Sequence, residues 1–343
     1  MNSSSATSSS GLERGLRVTV FGGSGFVGRH LIRRLAQAGA HVRIGVRDVD
    51  AALFLKPYGD VGQIVPLQVD VSDANQVMAA AQNADIVVNL VGILYERGLR
   101  TFQRIHVDCA AIIAEAAVKA GAKRFLHMSA LGADEGSPAL YSRTKKAGED
   151  AVKMVFPEAT IFRPSVIFGP EDDFFNKFAG MTRILPVLPV MGAPLIPRIN
   201  LNGESIFDID WFGDGGCKFQ PAYVGDVAQA MYETICNRNT QGEIYSLGGP
   251  KVYSFKELME LVLWVTERKR ILIPIPTAIA SFQALFLQML PKPMLTPDQV
   301  ALMEVDNILP DGGQGFEALE IQPTPVEAIL PTYLDRFRRT ARI

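Results

Sequence analysis

Three glycines at i, i+3 and i+6 close the run Val18-Thr19-Val20-Phe21-Gly22-Gly23-Ser24-Gly25-Phe26-Val27-Gly28. Val18, Val20 and Phe21 read as a buried strand, and Val27, Leu31 and Leu35 recur at helical spacing, so the glycines mark a turn from strand to helix. In such a turn Gly22 makes the tight bend, Gly25 lets the backbone approach a pyrophosphate, and Gly28 lets helix and strand pack closely. The pyrophosphate would rest on the unpaired N–H groups and positive dipole end of the helix, within Ser24, Gly25, Phe26, Val27 and Gly28. The alternative is a glycine-rich turn that only packs.

Further candidates recur where later strands should end. Arg47 stands about twenty residues beyond the turn, where an acid would bind a ribose 2′-hydroxyl and an arginine accommodates a 2′-phosphate. It therefore favours NADP(H) over NAD(H), although Asp48 is its neighbour and a solvated arginine is the other reading. Asp70 accepts a hydrogen bond from an adenine amino group, with Val71 against the ring, or else Asp70 or Ser72 caps the next helix. Leu90, Val91 and Gly92 would let backbone pass a ribose. Tyr141 and Lys145, four apart, share one helix face, where the lysine can lower the phenol pKa and hold a ribose hydroxyl. A tyrosinate so placed is an acid/base for hydride chemistry at a carbinol, with Ser129 as the candidate group to polarise a carbonyl.

The elements needed to position these residues form an α/β pattern. Strands are expected at Val18–Phe21, His41–Val46, Ile64–Gln68, Ile86–Asn89, Arg124–Met128 and Ala159–Pro164. Helices are expected at Gly25–Ala38, Asn75–Ala81, Arg104–Ala120 and Ala139–Val155. Right-handed crossovers make this a Rossmann-type doubly wound parallel sheet with its ligand at the carboxyl ends of the strands. Residues 1–15 read as a disordered tail and 16–170 as the dinucleotide-binding lobe, with 220–250 returning to it. A smaller mixed lobe takes 171–219 and 251–343, including a hairpin around Asn202-Gly203 and a helix at Phe255–Val265, while a strand at Pro221–Val224 feeds the helix that returns to the first lobe.

Composition narrows the function. A 343-residue chain with net charge −2 and 48% hydrophobic residues can bury a large core and gives no reason to propose nucleic acid as a partner. Cys109, Cys217 and Cys236 suit reduced thiols, and neither they nor His30, His41, His106 and His127 show metal-ligand spacing. Ile271 to Leu290 carries no charge, but Pro274 and Pro276 leave a helix of about fifteen residues before Pro291, shorter than a membrane span. That helix is either buried in the second lobe or apolar toward a membrane or partner subunit, aided by Arg336, Arg338, Arg339 and Arg342.

Together the glycine turn, Asp70-Val71, Tyr141-x-x-x-Lys145 and Arg163-Pro164-Ser165-Val166-Ile167-Phe168-Gly169-Pro170 resemble the extended and atypical short-chain dehydrogenase/reductase superfamily. More narrowly, Tyr141 to Glu149, Phe156 to Thr160, Ile167 to Asp172, Gln220 to Val227, Leu295 to Val300 and Ile321 to Pro325 look like the nucleotide-binding accessory subunits of respiratory complex I and their bacterial relatives. The resemblance implies a tightly held NADPH, with Pro164, Ser165 and Val166 also at the cofactor. It also implies a role in assembly or stability, beside other complex I subunits or at the membrane interface. The location would be peripheral on the inner membrane, on the cytoplasmic side in a bacterium or the matrix side in a mitochondrion. Extended reductases place an active-site serine or threonine where this chain has Ala130, with Ser129 one residue early. The segment Ala193–Phe212 is longer than the family's usual connection. A soluble NADP-dependent reductase or epimerase using Tyr141 and Lys145 is the competing reading.

Overall fold

Six apolar runs become the strands β1 (Arg17–Phe21), β2 (His41–Val46), β3 (Ile64–Gln68), β4 (Ile86–Asn89), β5 (Arg124–Met128) and β6 (Thr160–Pro164), and Ile244–Leu247 adds β7 at one edge. In the computed structural model, which describes residues 12–194, 198–200, 208–291 and 293–338, all seven run parallel in the order β7-β6-β5-β4-β1-β2-β3. A sheet covered on both faces needs continuously apolar strands, and β4 and β5 are buried at every position. The chain winds outward through β2 and β3, then returns past β1 to β4. The carboxyl ends of β1 and β4 therefore meet at a reversal of strand order, where Phe21 pairs with Asn89.

Helix α1 (Phe26–Gln37) packs with α6 (Val224–Cys236) on one face, through Leu31, Leu35, Val227 and Met231. On the other face lie α2 (Ala74–Ala81), α3 (Cys109–Lys119) and α4 (Leu140–Val155), packed through Val77, Ala110, Ile113 and Val152. A third core joins α5 (Phe174–Ile184) and α7 (Phe255–Thr266) around Phe168, Phe175, Phe178, Phe219 and Phe255. The expected strand at Pro221–Val224 is the shorter Ala222–Tyr223, paired with Ile167–Phe168 outside the main sheet. The expected hairpin has arms Arg198–Asn200 and Asp208–Asp210, paired antiparallel, but its Asn202-Gly203 turn lies outside the described residues. So do residues 1–10, Arg339 and Arg342.

The uncharged stretch divides at its prolines. Ile271–Pro276 is a strand paired in parallel with Val187–Ala193, and α8 (Thr277–Leu287) follows, shorter than expected. Among the described residues no helix is long and apolar enough to cross a membrane. The orientation of α8 is unusual. Its small residues Ala280 and Ala284 are buried against Leu295 and Val300 of the segment that carries α9 (Pro297–Leu302). Its large residues point outward: Phe282 is 63% and Phe286 60% exposed, with Ile279 and Leu285 beside them and Met289 and Leu290 just beyond.

Candidate functional site

The glycine turn emerges at the switch point between β1 and β4. Gly22 has φ +79°, and a Cβ there would lie 3.0 Å from the Leu90 carbonyl carbon, so glycine is required by both conformation and space. A Cβ on Gly28 would lie 2.4 Å from the Gly23 carbonyl oxygen, which is the close packing of helix on turn that the spacing predicts. At Gly25 a Cβ would stand 3.1 Å from the Gly22 oxygen. Gly25 caps α1 with no side-chain hydrogen bond, leaving first-turn N–H groups free for an anion. Phe26 bears on Gly169 of the loop after β6. Arg29 donates to the Ser24 and Gly25 carbonyls at 3.4 Å and pairs with Glu171 at 3.5 Å.

At the ends of β2 and β3, Arg47 is exposed, and Asp48 accepts from Ala51 N at 3.1 Å, which commits that acid to its own loop. Asp70 Oδ1 accepts from both Ser72 N (2.9 Å) and Ser72 Oγ (2.7 Å), bonds that hold its carboxyl below the usual range. Neither Asp70 nor Ser72 caps the next helix. Asp73 does so, accepting from Asn75 N and Gln76 N. Val71 is buried and Val91 packs against the same apolar cluster.

Lys145 is buried with its Nζ donating to the Met128 carbonyl at 3.1 Å, and burial brings its pKa down to about 8 against the opposing pull of Glu149. Glu149 receives a two-pronged ion pair from Arg163 on β6, at 2.8 and 2.5 Å, which fixes α4 to the sheet. The ammonium lies 5.9 Å from the Tyr141 ring centroid. The expectation that Lys145 lowers the phenol pKa is not met: burial and then Asp298 push Tyr141 up to about 12. Tyr141 is a neutral phenol, able to donate a hydrogen bond.

Two histidines absent from the expected site complete it. The stretch Gln103–Asp108 is a π-helical turn, and a Cβ on Gly148 would lie 2.1 Å from the His106 carbonyl, so glycine alone lets this turn press on α4. His106 thereby reaches Thr144 Oγ1 (3.0 Å), accepts from Ile93 N (3.2 Å) and lies edge-on to Tyr141 (5.3 Å). A Cβ on Gly92 would lie 3.3 Å from Lys145 Nζ. On β5, His127 Nδ1 faces Asn89 Nδ2 at 3.2 Å, and Asn89 Oδ1 accepts from Val91 N, so Nδ1 is the acceptor and Nε2 carries the proton. Among the described residues that Nε2 and Ser129 Oγ are buried without a partner, two residues apart and therefore on one face of β5. Free hydrogen-bonding capacity beside a glycine cradle and an uncapped helix start fits a bound dinucleotide.

The second lobe closes on this site in ways the sequence did not reveal. Asp298, in α9, accepts from Leu140 N at 2.6 Å and Tyr141 N at 3.0 Å, capping α4 from a distance of 157 residues along the chain. Asn307 accepts from Ser165 Oγ (2.6 Å) and Val166 N (3.2 Å) through Oδ1 and donates to the Leu131 carbonyl (3.3 Å). The Ser165 hydroxyl is thus committed to the protein, while Pro164 is buried in β6 and accepts from Leu131 N. Only the Thr296-x-x-Gln299 capping box hinted at α9, and nothing marked Asn307. Asp298→Ala is expected to lower stability by about 1–2 kcal/mol, read as a lower urea midpoint at unchanged slope. An unchanged midpoint would mean that water replaces the carboxylate.

The family model for the NAD dependent epimerase/dehydratase family matches residues 18–248. Over 315 residues the chain is 33% identical to the mitochondrial NADH dehydrogenase (ubiquinone) 1 alpha subcomplex subunit 9 of Mus musculus, covering 91% of this chain and 78% of that protein. It is 30% identical to the mitochondrial NADH-ubiquinone oxidoreductase 40 kDa subunit of Neurospora crassa, covering 95% and 81% respectively. Among solved structures, UDP-glucose 4-epimerase of Thermus thermophilus in complex with NAD superimposes with a TM-score of 0.67 at 18% identity, over 95% of this chain and 100% of that one. At that identity the likeness speaks for the fold.

Proposed function

This chain belongs to the NAD dependent epimerase/dehydratase family, and on that premise we propose that it is an NADP(H)-holding accessory subunit of respiratory complex I, seated peripherally on the inner membrane. The cofactor would lie across the switch point. Gly22, Ser24, Gly25, Phe26, Val27 and Gly28 would hold its pyrophosphate, Arg47 the 2′-phosphate, and Asp70 and Val71 the adenine. Leu90, Val91, Gly92, Tyr141 and Lys145 would meet the ribose and nicotinamide end, with Pro164 and Val166 behind. The group itself supplies hydride chemistry when bound. Its role here is structural, since Ala130 stands where a reductase needs a hydroxyl.

The observation that carries this reading is the inverted helix α8, whose alanines face its own lobe while its phenylalanines face outward. Leaving two phenylalanines in water forgoes about 1.5–3 kcal/mol each, which a hydrophobic partner subunit or the membrane interface recovers. Fractionation of cell extracts at low and high salt tests it. Wild type is expected in the membrane fraction at both, and native mass spectrometry of gently solubilised membranes is expected to find it with partner subunits and cofactor. Phe282→Glu with Phe286→Glu is expected to release it. Wild type wholly soluble and monomeric, with the variant indistinguishable, would leave a soluble reductase using Tyr141, Lys145 and Ser129.

A further inference from the structure

The glycine turn is held from behind by a cation. Arg29, in the first turn of α1, sends its side chain back along the helix, donating through Nη2 to the Ser24 carbonyl and through Nε to the Gly25 carbonyl, both at 3.4 Å. Two further elements confine the guanidinium there. Its Nη1 lies 3.5 Å from Glu171 Oε1, in the loop after β6, and its central carbon stands 4.9 Å from the ring centroid of Phe54, in the 3₁₀ helix Asp50–Tyr58. Glu171 is itself fixed. His30 Nε2 lies 3.1 Å from its Oε2, and the Phe26 ring stands 3.4 Å from where a Cβ on Gly169 would be. The next residue, Asp172, is buried and accepts from Gly169 N at 3.2 Å, Phe175 N at 2.6 Å and Tyr333 Oη at 2.5 Å, which bolts this loop to α10 (Val326–Leu334) of the second lobe.

A trans peptide plane carries its C=O and N–H on opposite sides, so fixing a carbonyl aims the amide of the next residue the other way. With the Ser24 carbonyl held, the Gly25 N–H closes on the Gly22 carbonyl at 3.0 Å. With the Gly25 carbonyl held, the Phe26 N–H is presented at the start of α1 on the side away from Arg29. We propose that Arg29 is a positioning residue for the dinucleotide: braced by Glu171, it sets the glycine turn in its anion-receiving shape before the pyrophosphate arrives. The inference rests on the dinucleotide reading above and applies to NADPH and NADH alike, since both carry the pyrophosphate. Arg29 acts through the two carbonyls, and its charge over them polarises the peptides whose N–H groups receive the ligand.

Calorimetric titration of the full chain with NADPH and NADH, alongside urea midpoints, tests this. Arg29→Leu is expected to weaken both ligands by the same factor of about ten, the low end for charge-assisted bonds because the two carbonyl contacts are long, at an unchanged urea midpoint. Glu171→Gln is expected to weaken both by about threefold, and the double variant to bind no worse than Arg29→Leu, because the brace acts only through the cation. Arg29→Lys keeps the charge but loses the planar fork, and is expected to stay at least about threefold weaker than wild type. Full recovery by Arg29→Lys would leave only a charge effect and overturn the assignment. So would a loss confined to NADPH, additive effects of the two substitutions, a urea midpoint that falls with the affinity, or no change in either ligand. Wild-type protein that binds neither dinucleotide overturns the cofactor reading as well.

Discussion

Gly25→Val is expected to weaken cofactor binding by at least about a hundredfold, while Tyr141→Phe leaves it within about tenfold. Gly25 has φ −72° and ψ −177°, an extended conformation that valine accepts readily, so the substitution does not strain the backbone dihedrals. What it changes is space: the new side chain starts 3.1 Å from the Gly22 oxygen and occupies the approach to the free N–H groups of α1. On the proposed placement Tyr141 would contribute a single neutral hydroxyl to the far end of the ligand, about 0.5–1.5 kcal/mol. Calorimetry and the amount of cofactor that survives purification both read the difference. Gly28→Ala is the contrasting control, because its methyl would fall 2.4 Å from the Gly23 carbonyl and must displace α1 from the turn. It is expected to lower the melting temperature more than Gly25→Val does, because its methyl meets three backbone atoms of Gly23 within 2.6 Å whereas that of Gly25 meets one at 3.1 Å. Loss of cofactor from Tyr141→Phe as complete as from Gly25→Val would show that the tyrosine is misplaced here.

The parts of this molecule legible in its sequence are those whose determinants are local. Strands such as Ile64–Gln68 and Ile86–Asn89 are short, mostly apolar runs, and the glycine turn is marked by three glycines within seven residues, of which Gly25 and Gly28 are confined by Gly22 and Gly23 themselves. The edge strand Ile244–Leu247 escaped notice because four residues beside a turn carry little periodicity, and it is the sheet that recruits them. The π-helical turn at Gln103–Asp108 was read as the start of an ordinary helix. Its cause is Gly148, forty residues onward, which admits the His106 carbonyl. Asp298 and Asn307 are illegible for the same reason. Each satisfies backbone groups in the first lobe from the second, and a carboxylate or amide that caps at long range leaves no spacing to find. The outward face of α8 could be suspected from its apolar count, but which residues faced out depended on the partners of Ala280 and Ala284.

Acid is expected to destabilise this protein steeply below pH 6.5, because His106 and His127 are held neutral in the fold. Burial and then the Lys145 ammonium bring both rings down to about 3. His127 accepts from Asn89, a role a protonated ring cannot keep, whereas His106 Nε2 lies 3.2 Å from both the N–H and the carbonyl oxygen of Ile93. In the unfolded chain each titrates near 6.5, so between 6.5 and 3 the unfolded state binds more protons and stability drops as pH falls. Each histidine contributes up to about 1.4 kcal/mol per pH unit across that window, so the pair gives about 3 kcal/mol per unit once both unfolded rings are charged. Lys145, lowered to about 8 by burial, makes its own contribution only at higher pH, where stability falls between 10.5 and 8. Urea midpoints measured from pH 7 to 5 therefore isolate the histidines before most carboxylates titrate. His127→Leu removes one of the two rings, fills the buried position next to Ser129 and is expected to halve the slope over that range. A wild-type midpoint flat from pH 7 to 5 would mean that both rings find a way to charge in the folded state. That would also release the Asn89 contact at the end of β4, beside the proposed cofactor.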